Sequence, residues 1–234
     1  MNIIVTGASS GIGYATCLEL SKNNKNKVFA ISRNRAKLDH LRENCLKQSG
    51  NNIEVLSFDL SQPLWEQLDE FLKEAQSVEV LINNAGLLYN KPFLKTDKKD
   101  WDELLHINLT GPAMLIRYLF PYLKAAKNAH VVNISSMGGF QGSKKFPGLA
   151  AYSSSKAALA CLTECLVEEL SGDGIAFNCL CLGAVATEML AQAFPGYEAP
   201  LTAQEMGKFL ADFGTSGHRF FNGQIIPVAL SNPA

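Results

Sequence analysis

The chain carries almost no surplus charge. Over 234 residues, 21 Lys and Arg stand against 22 Asp and Glu, for a net charge of −1. Nucleic acids and anionic membrane surfaces are held by clustered excess Lys and Arg, so neither is an expected partner. Long apolar runs are also missing, and none reaches the roughly 20 residues of a membrane span. Met1-Asn2-Ile3-Ile4 opens as a strand rather than as the basic-then-apolar head of a secretory leader. A cytoplasmic protein is expected. The six cysteines, at 17, 45, 161, 165, 179 and 181, form no CxxC pair, and His40, His106, His130 and His218 stand at no ligand-like spacing to them. No metal site or disulfide framework is expected, and the cysteines read as free, packed thiols. Repeats, low-complexity tracts and Pro/Ser-rich linkers are absent too, so residues 1–234 are expected to form one domain.

What the chain has is apolar material, 47% of residues against 18% charged, enough for one large core. Short β-branched runs alternate with longer helical patterns. Strands are expected at 2–6, 27–32, 53–58, 78–83, 130–135, 175–180 and 224–228, with helices near 11–23, 35–48, 62–74, 98–126 and 151–171. Nearly all-apolar strands belong in a parallel sheet covered on both faces. The expected fold class is therefore α/β: a doubly wound parallel sheet of about seven strands in a Rossmann-type three-layer sandwich.

In such sheets ligands sit outside the carboxyl ends of the strands, and the informative motifs fall there. Thr6-Gly7-Ala8-Ser9-Ser10-Gly11-Ile12-Gly13 follows the first strand and opens the first helix. Gly7 permits a tight turn, Gly11 lets backbone approach a pyrophosphate, and Gly13 allows close packing of helix on strand. The N–H groups of the helix start then face the phosphates. About 20 residues on, an NAD site usually places an acidic residue to bind the ribose 2′-hydroxyl. Here Ser32, Arg33 and Asn34 stand instead. A neutral Ser32 removes repulsion, and the Arg33 guanidinium offers a forked cationic donor to a 2′-phosphate. NADP(H) is accordingly preferred over NAD, the bland alternative being a solvated loop arginine.

The TGxxxGxG spacing, with motifs that follow in order to the stretch Asn222-Gly223-Gln224, resembles the short-chain dehydrogenase/reductase family. The resemblance implies adenine contacts at Asp59 and Leu60, and an NNAG segment, Asn83-Asn84-Ala85-Gly86, that lines the cofactor through Asn83, Ala85 and Gly86. Gly183, Val185 and Thr187 match its nicotinamide-side loop, although Leu182 replaces a usual proline. It also implies a catalytic set of Asn108, Ser136, Tyr152 and Lys156, in which Tyr152 and Lys156 also touch the cofactor. Ser9, Ser10 and Ile12 complete the expected cofactor contacts.

The YxxxK spacing puts Tyr152 and Lys156 on one helical face. Reduction of a carbonyl leaves a developing alkoxide that needs a proton, and a lysine ammonium beside a tyrosine is expected to draw its pKa from near 10 toward neutrality. Ser136 would donate to the carbonyl oxygen, with Ser135 as a less favoured substitute. Asn108 is either an ordinary helical residue or, as in the family, one whose backbone carbonyl holds a water linked to the lysine. Tyr152 follows Ser136 by 16 positions rather than the family's usual 13 or so. The surplus falls in Gly142-Ser143-Lys144-Lys145-Phe146 and is expected to reshape the substrate entrance. Residues 187–200, with Met189, Phe194 and Tyr197, read as a substrate lid or as a segment packed down in all states.

The expected activity is NADPH-dependent reduction of a ketone or aldehyde, including the 3-oxoacyl-carrier-protein class. Lys124, Lys127, Lys144 and Lys145 are then candidate contacts for an acidic carrier. The alternatives are a secondary alcohol dehydrogenase and a non-catalytic dinucleotide sensor. Homodimers or homotetramers are expected from the resemblance.

Overall fold

In a computed structural model that describes residues 1–62 and 65–230, seven strands form one parallel sheet. They are β1 (Asn2–Thr6), β2 (Lys27–Ser32), β3 (Glu54–Ser57), β4 (Val80–Asn83), β5 (Ala129–Ser136), β6 (Ile175–Leu182) and, after a short parallel pair β7 (Val185–Ala186) and β8 (Leu201–Thr202), β9 (Ile225–Val228). The order is β3-β2-β1-β4-β5-β6-β9. The chain direction of growth reverses between β1 and β4, which opens a crevice at their carboxyl ends.

The helices are α1 (Gly11–Ser21), α2 (Arg35–Ser49), α3 (Trp65–Leu72), α4 (Lys98–Leu105), α5 (Gly111–Ala125), α6 (Ala150–Glu169), α7 (Glu188–Ala193) and α8 (Ala203–Ser216). Part of the expected helix start at 62–64 lies outside the described residues. Alternation along each strand sends side chains to opposite faces. Ile3 and Val5 join Cys17, Leu20, Val28 and Leu210 on one face. Ile4 joins Phe29, Leu68, Leu81, Leu115 and Phe177 on the other. Both layers are dry, and the α/β class is as expected.

Three features differ from the expectation. The helix expected across 98–126 is interrupted by a π-turn at His106–Thr110, where the Gly111 N–H reaches His106 O. Asn108 lies in that turn, its side chain bound to the backbone of Leu87. Pro112, in the first turn of α5, has no N–H to extend the regular ladder.

The helix α8 was not expected, because Gly207 and Gly214 break its apolar period. Both are needed for contact rather than for flexibility. A methyl on Gly207 would fall 2.5 Å from Ala15 Cβ of α1, and one on Gly214 would fall 3.0 Å from Ile82. Close approach of two helices and the sheet offsets the roughly 1 kcal/mol that each glycine costs a helix. A capping box between Thr202 and Glu205 starts the helix.

The third difference corrects the packed-thiol expectation for two cysteines. Cys161 and Cys165 are exposed, while Cys17, Cys45, Cys179 and Cys181 are buried. On α6 the inward stripe is Tyr152, Ser155, Lys156, Leu159 and Thr163, which turns positions 161 and 165 outward.

Candidate functional site

The turn after β1 is shaped by contacts that leave no room for side chains. Gly7 has φ +67°, and a methyl there would lie 2.8 Å from Ala85 Cα. One on Gly13 would lie 2.5 Å from the carbonyl oxygen of Gly7. Across the crevice, the Asn84 amide donates to Thr6 O at 3.0 Å, and the Thr6 hydroxyl accepts from Ala85 N at 3.0 Å. The strand-end turns of β1 and β4 are thus bolted together.

The start of α1 differs from those of α2, α4, α7 and α8. Asn34, Asp97, Thr187 and Thr202 each cap a helix by accepting a backbone N–H. Ser10, which opens α1, makes no side-chain cap, and no acidic residue lies in the first turn. Its leading N–H groups stay available to an anion, and the helix dipole favours one.

From this turn a cavity of about 710 Å³ runs along the carboxyl edge of the sheet. Gly7, Ser9, Ser10, Gly11, Ile12, Ser32, Arg33, Asp59, Leu60, Ala85, Gly86, Ser136, Tyr152, Lys156, Gly183, Val185 and Thr187 all line it. At its far end a second hollow is formed by Ser9, Ser32, Arg33, Asn34 and Arg35. The Ser32 hydroxyl donates to Ser9 at 2.8 Å, and Arg33 is exposed to the opening. Arg35 is a second cation there that sequence reasoning missed, and its Nε bonds Asp39 at 3.0 Å. Its only sequence signal was a place two residues beyond Arg33.

Two expected contacts are placed elsewhere. Asn83 lies at the carboxyl end of β4, but its side chain is buried and donates to Asn133, whose amide donates in turn to Thr163. It braces β4, β5 and α6 together instead of facing the cavity. Gly13 supports the turn from beneath and is not part of the wall.

Tyr152, Lys156 and Ser136 all line the cavity, and the Ser136 hydroxyl lies within reach of the Tyr152 phenol. The Lys156 amine is buried, donates to Ile134 O at 2.8 Å, and has its pKa lowered to about 8 by desolvation. Gly86 leaves space above it, since a methyl there would sit 3.4 Å from the amine. Burial raises the Tyr152 pKa, while the Ser136 hydroxyl pulls the other way. The lowering toward neutrality is expected of the ammonium together with the positive nicotinamide of an oxidised cofactor; in the protein alone, removal of the phenol from water dominates, and the Lys156 ammonium is itself disfavoured by burial.

Ser135 and Ser136 divide their work. The Ser135 hydroxyl donates to Lys156 O at 2.7 Å and holds α6 on β5. Ser136 accepts from Gly138 N at 3.1 Å, which leaves its own hydrogen free to donate. Asn108 does not line the cavity. Its side chain accepts from Leu87 N at 2.8 Å and donates to Leu87 O and to the Ser155 hydroxyl, each at 2.9 Å. This fixes the chain after Gly86 against α6.

The mouth is built from three segments. Asn90 donates to Ala193 O at 2.8 Å, at the end of α7, and Lys91 N donates to Gly148 O at 2.9 Å. These bonds join residues 87–97 to both the 137–149 loop and the 187–200 flap. The flap's base is closed by the ladder Val185–Leu201 and Ala186–Thr202. On its outer side Glu188 pairs with Lys37 at 3.0 Å. Lys144 and Lys145 lie in the 137–149 loop. Lys127 precedes the start of β5, as does Lys124, which is paired at 2.7 Å with Asp173 ahead of β6. Those last two sit at the opposite edge of the sheet, so they cannot border this mouth. No described helix is long and apolar enough to cross a membrane.

Comparison with known proteins bears on the same residues. The family model described as short chain dehydrogenase matches residues 1–198. An uncharacterised oxidoreductase of Staphylococcus saprophyticus is 32% identical over 80% of this chain and 75% of its own. The 3-oxoacyl-[acyl-carrier-protein] reductase of Synechocystis is 29% identical over 80% of this chain and 74% of its own. Among solved structures, a short-chain dehydrogenase of Escherichia coli CFT073 complexed with NADPH superposes with a TM-score of 0.86, at 26% identity, covering 97% of this chain and 95% of that one.

Proposed function

The chain belongs to the short-chain dehydrogenase family of oxidoreductases, which bind a nicotinamide dinucleotide, and from that premise we propose that it reduces a ketone or aldehyde at the expense of NADPH. The observation that carries the reading is that Ser136, Tyr152 and the buried Lys156 line one cavity with the uncapped start of α1. The glycine turn fits a pyrophosphate, because Gly7 and Gly11 bring backbone to the wall without side chains of their own, beside the free N–H groups of α1.

Gly7 and the first N–H groups of α1 would hold the pyrophosphate, Asp59 and Leu60 the adenine side, and Gly183, Val185 and Thr187 the nicotinamide side. Ser32 and Arg33, with Arg35 beside them, would hold a 2′-phosphate, for which no carboxylate stands in the way among the residues of that hollow. When bound, the reduced nicotinamide would supply a hydride, one proton with two electrons, to the carbonyl carbon. Ser136 donates a hydrogen bond to the carbonyl oxygen and lowers the cost of its developing charge. The Tyr152 phenol, kept protonated by burial, delivers the proton to that oxygen. Lys156, as ammonium, stabilises the phenolate left behind. Asn108 acts through Leu87 and Ser155 to keep the lysine side of the site in register.

The test is a spectrophotometric assay of NADPH and NADH oxidation over a panel of ketones and aldehydes, with nucleotide binding measured in parallel. Turnover with NADPH at far lower KM than NADH is expected. Tight NADPH binding without turnover of any carbonyl compound would overturn the proposal.

A further inference from the structure

Resting on the reductase reading above, we propose that the substrate is an uncharged, lipophilic carbonyl compound, selected chiefly by Phe146 of the entrance loop and by Phe194 and Tyr197 of the flap. The first observation concerns charge. Among the described residues that line the cavity, the charged side chains are Arg33, Asp59, Lys156 and Glu188. Arg33 and Asp59 stand at the nucleotide end, Lys156 is committed to the reaction centre, and Glu188 is paired with Lys37. Beyond Tyr152 the wall offers no ion to meet a carboxylate or phosphate. Desolvating such a group without a partner is costly.

The second observation concerns what takes the place of charge. Tyr152 packs in an apolar cluster with Leu149, Leu87, Leu88 and Phe194. Outside it, Phe146, Met189 and Tyr197 line the cavity and yet are 41%, 39% and 56% exposed. Large apolar side chains left in water around one opening are informative when they are contiguous with a pocket. An apolar tail entering the mouth covers them, and each methylene removed from water favours binding.

In the flap wall Gln192 is the polar side chain set among Met189, Leu190, Phe194 and Tyr197. Nearby, the Asn90 amide is spent on Ala193, and the Lys145 amine is spent on Phe140 O and the Ser143 hydroxyl. A carrier-protein thioester is also a poor fit. Half of the lysines that an acidic carrier needs lie at the far edge of the sheet, and the acidic groups Asp100 and Glu103 flank the outer side of the mouth, bound to Lys91 and Tyr89.

The experiment measures kcat/KM at saturating NADPH for straight-chain 2-alkanones of increasing length, beside keto acids of matched length bearing a terminal carboxylate. The expected rise is about fourfold per added methylene until the cavity fills, with each keto acid at least ~100-fold below its neutral match. Phe146→Arg, at an exposed loop position that leaves the core intact, is expected to shrink that gap to ~10-fold or less. Phe194→Ala is expected to flatten the dependence on chain length. Calorimetric titration of a long-chain tertiary alcohol, which has no carbinol hydrogen to give up, into the enzyme–NADP⁺ complex supplies a readout free of turnover, and tighter binding than for a short polyol is expected. Turnover confined to charged or polyhydroxylated carbonyls, or a flat response to chain length, overturns the lipophilic assignment alone. NADPH binding with no turnover of any carbonyl overturns the reductase reading and this assignment together.

Discussion

The two ends of the cavity recognise their ligands by opposite means. At the nucleotide end, backbone does the work: glycines without room for a methyl, free N–H groups of α1, and a turn bolted to its neighbour through Thr6 and Asn84. At the substrate end, side chains do it, carried on the 137–149 loop and the 187–200 flap. Backbone recognition is rigid and admits few substitutions. Side-chain recognition on loops is adjustable, since exchanging one aromatic for another leaves the scaffold alone. The difference teaches where a family keeps its common chemistry and where a member acquires its own.

The contrast can be tested by variants, taken here from the largest expected effect. Tyr152→Phe should lower kcat by about 10³-fold, within the range typical of a lost general acid, while NADPH affinity measured by fluorescence titration stays within a few fold. Loss of binding along with turnover would mean that the two ends are not separable. Gly7→Ala, which forces a side chain into a positive φ and against Ala85, should weaken either nucleotide by about 100-fold or more and lower the melting temperature. Arg33→Ala should weaken NADPH by about 10- to 100-fold, the worth of a charge-assisted bond, and NADH hardly at all; equal weakening would refute contact with a 2′-phosphate. Asn90→Ala, which frees the flap from the 87–97 segment, should raise the ketone KM by a few fold and leave nucleotide affinity unchanged.

A pH profile sharpens the same contrast from the reaction centre. With its pKa lowered to about 8, the Lys156 ammonium is lost as pH rises through that value, so kcat for reduction should fall there. For stability the sign is opposite. Between about 8 and the unfolded value near 10.5 the unfolded chain binds the extra proton, so wild type should gain up to about 3 kcal/mol relative to Lys156→Met as pH rises across that window. Denaturant titrations at several pH values measure it.

Legibility in the sequence follows the same division. The seven-strand sheet could be read because nearly uninterrupted apolar runs such as Val28–Ile31 occur where helices cover both faces. The nucleotide turn could be read because glycine spacing is itself the geometry. Other features depend on tertiary contact and leave no local trace. Gly207 and Gly214 hide α8, since the reason for them is a neighbouring helix and strand. Two-residue strands such as Val185–Ala186 carry no period. A motif locates Asn83 without saying that its amide turns inward to Asn133. The exposure of Cys161 and Cys165 depends on which stripe of α6 meets the sheet, and that is settled by tertiary packing of Tyr152, Ser155, Lys156, Leu159 and Thr163.

The ladder between Val185–Ala186 and Leu201–Thr202 has a consequence for how such an enzyme can diverge. Because the flap's two ends are clasped together between β6 and α8, the span between them can lengthen, shorten or be exchanged whole at a cost that grows only slowly with length. Natural variation in that span is thereby uncoupled from the folding of the remaining chain, and new substrates become accessible by swapping a cassette rather than by rebuilding a protein.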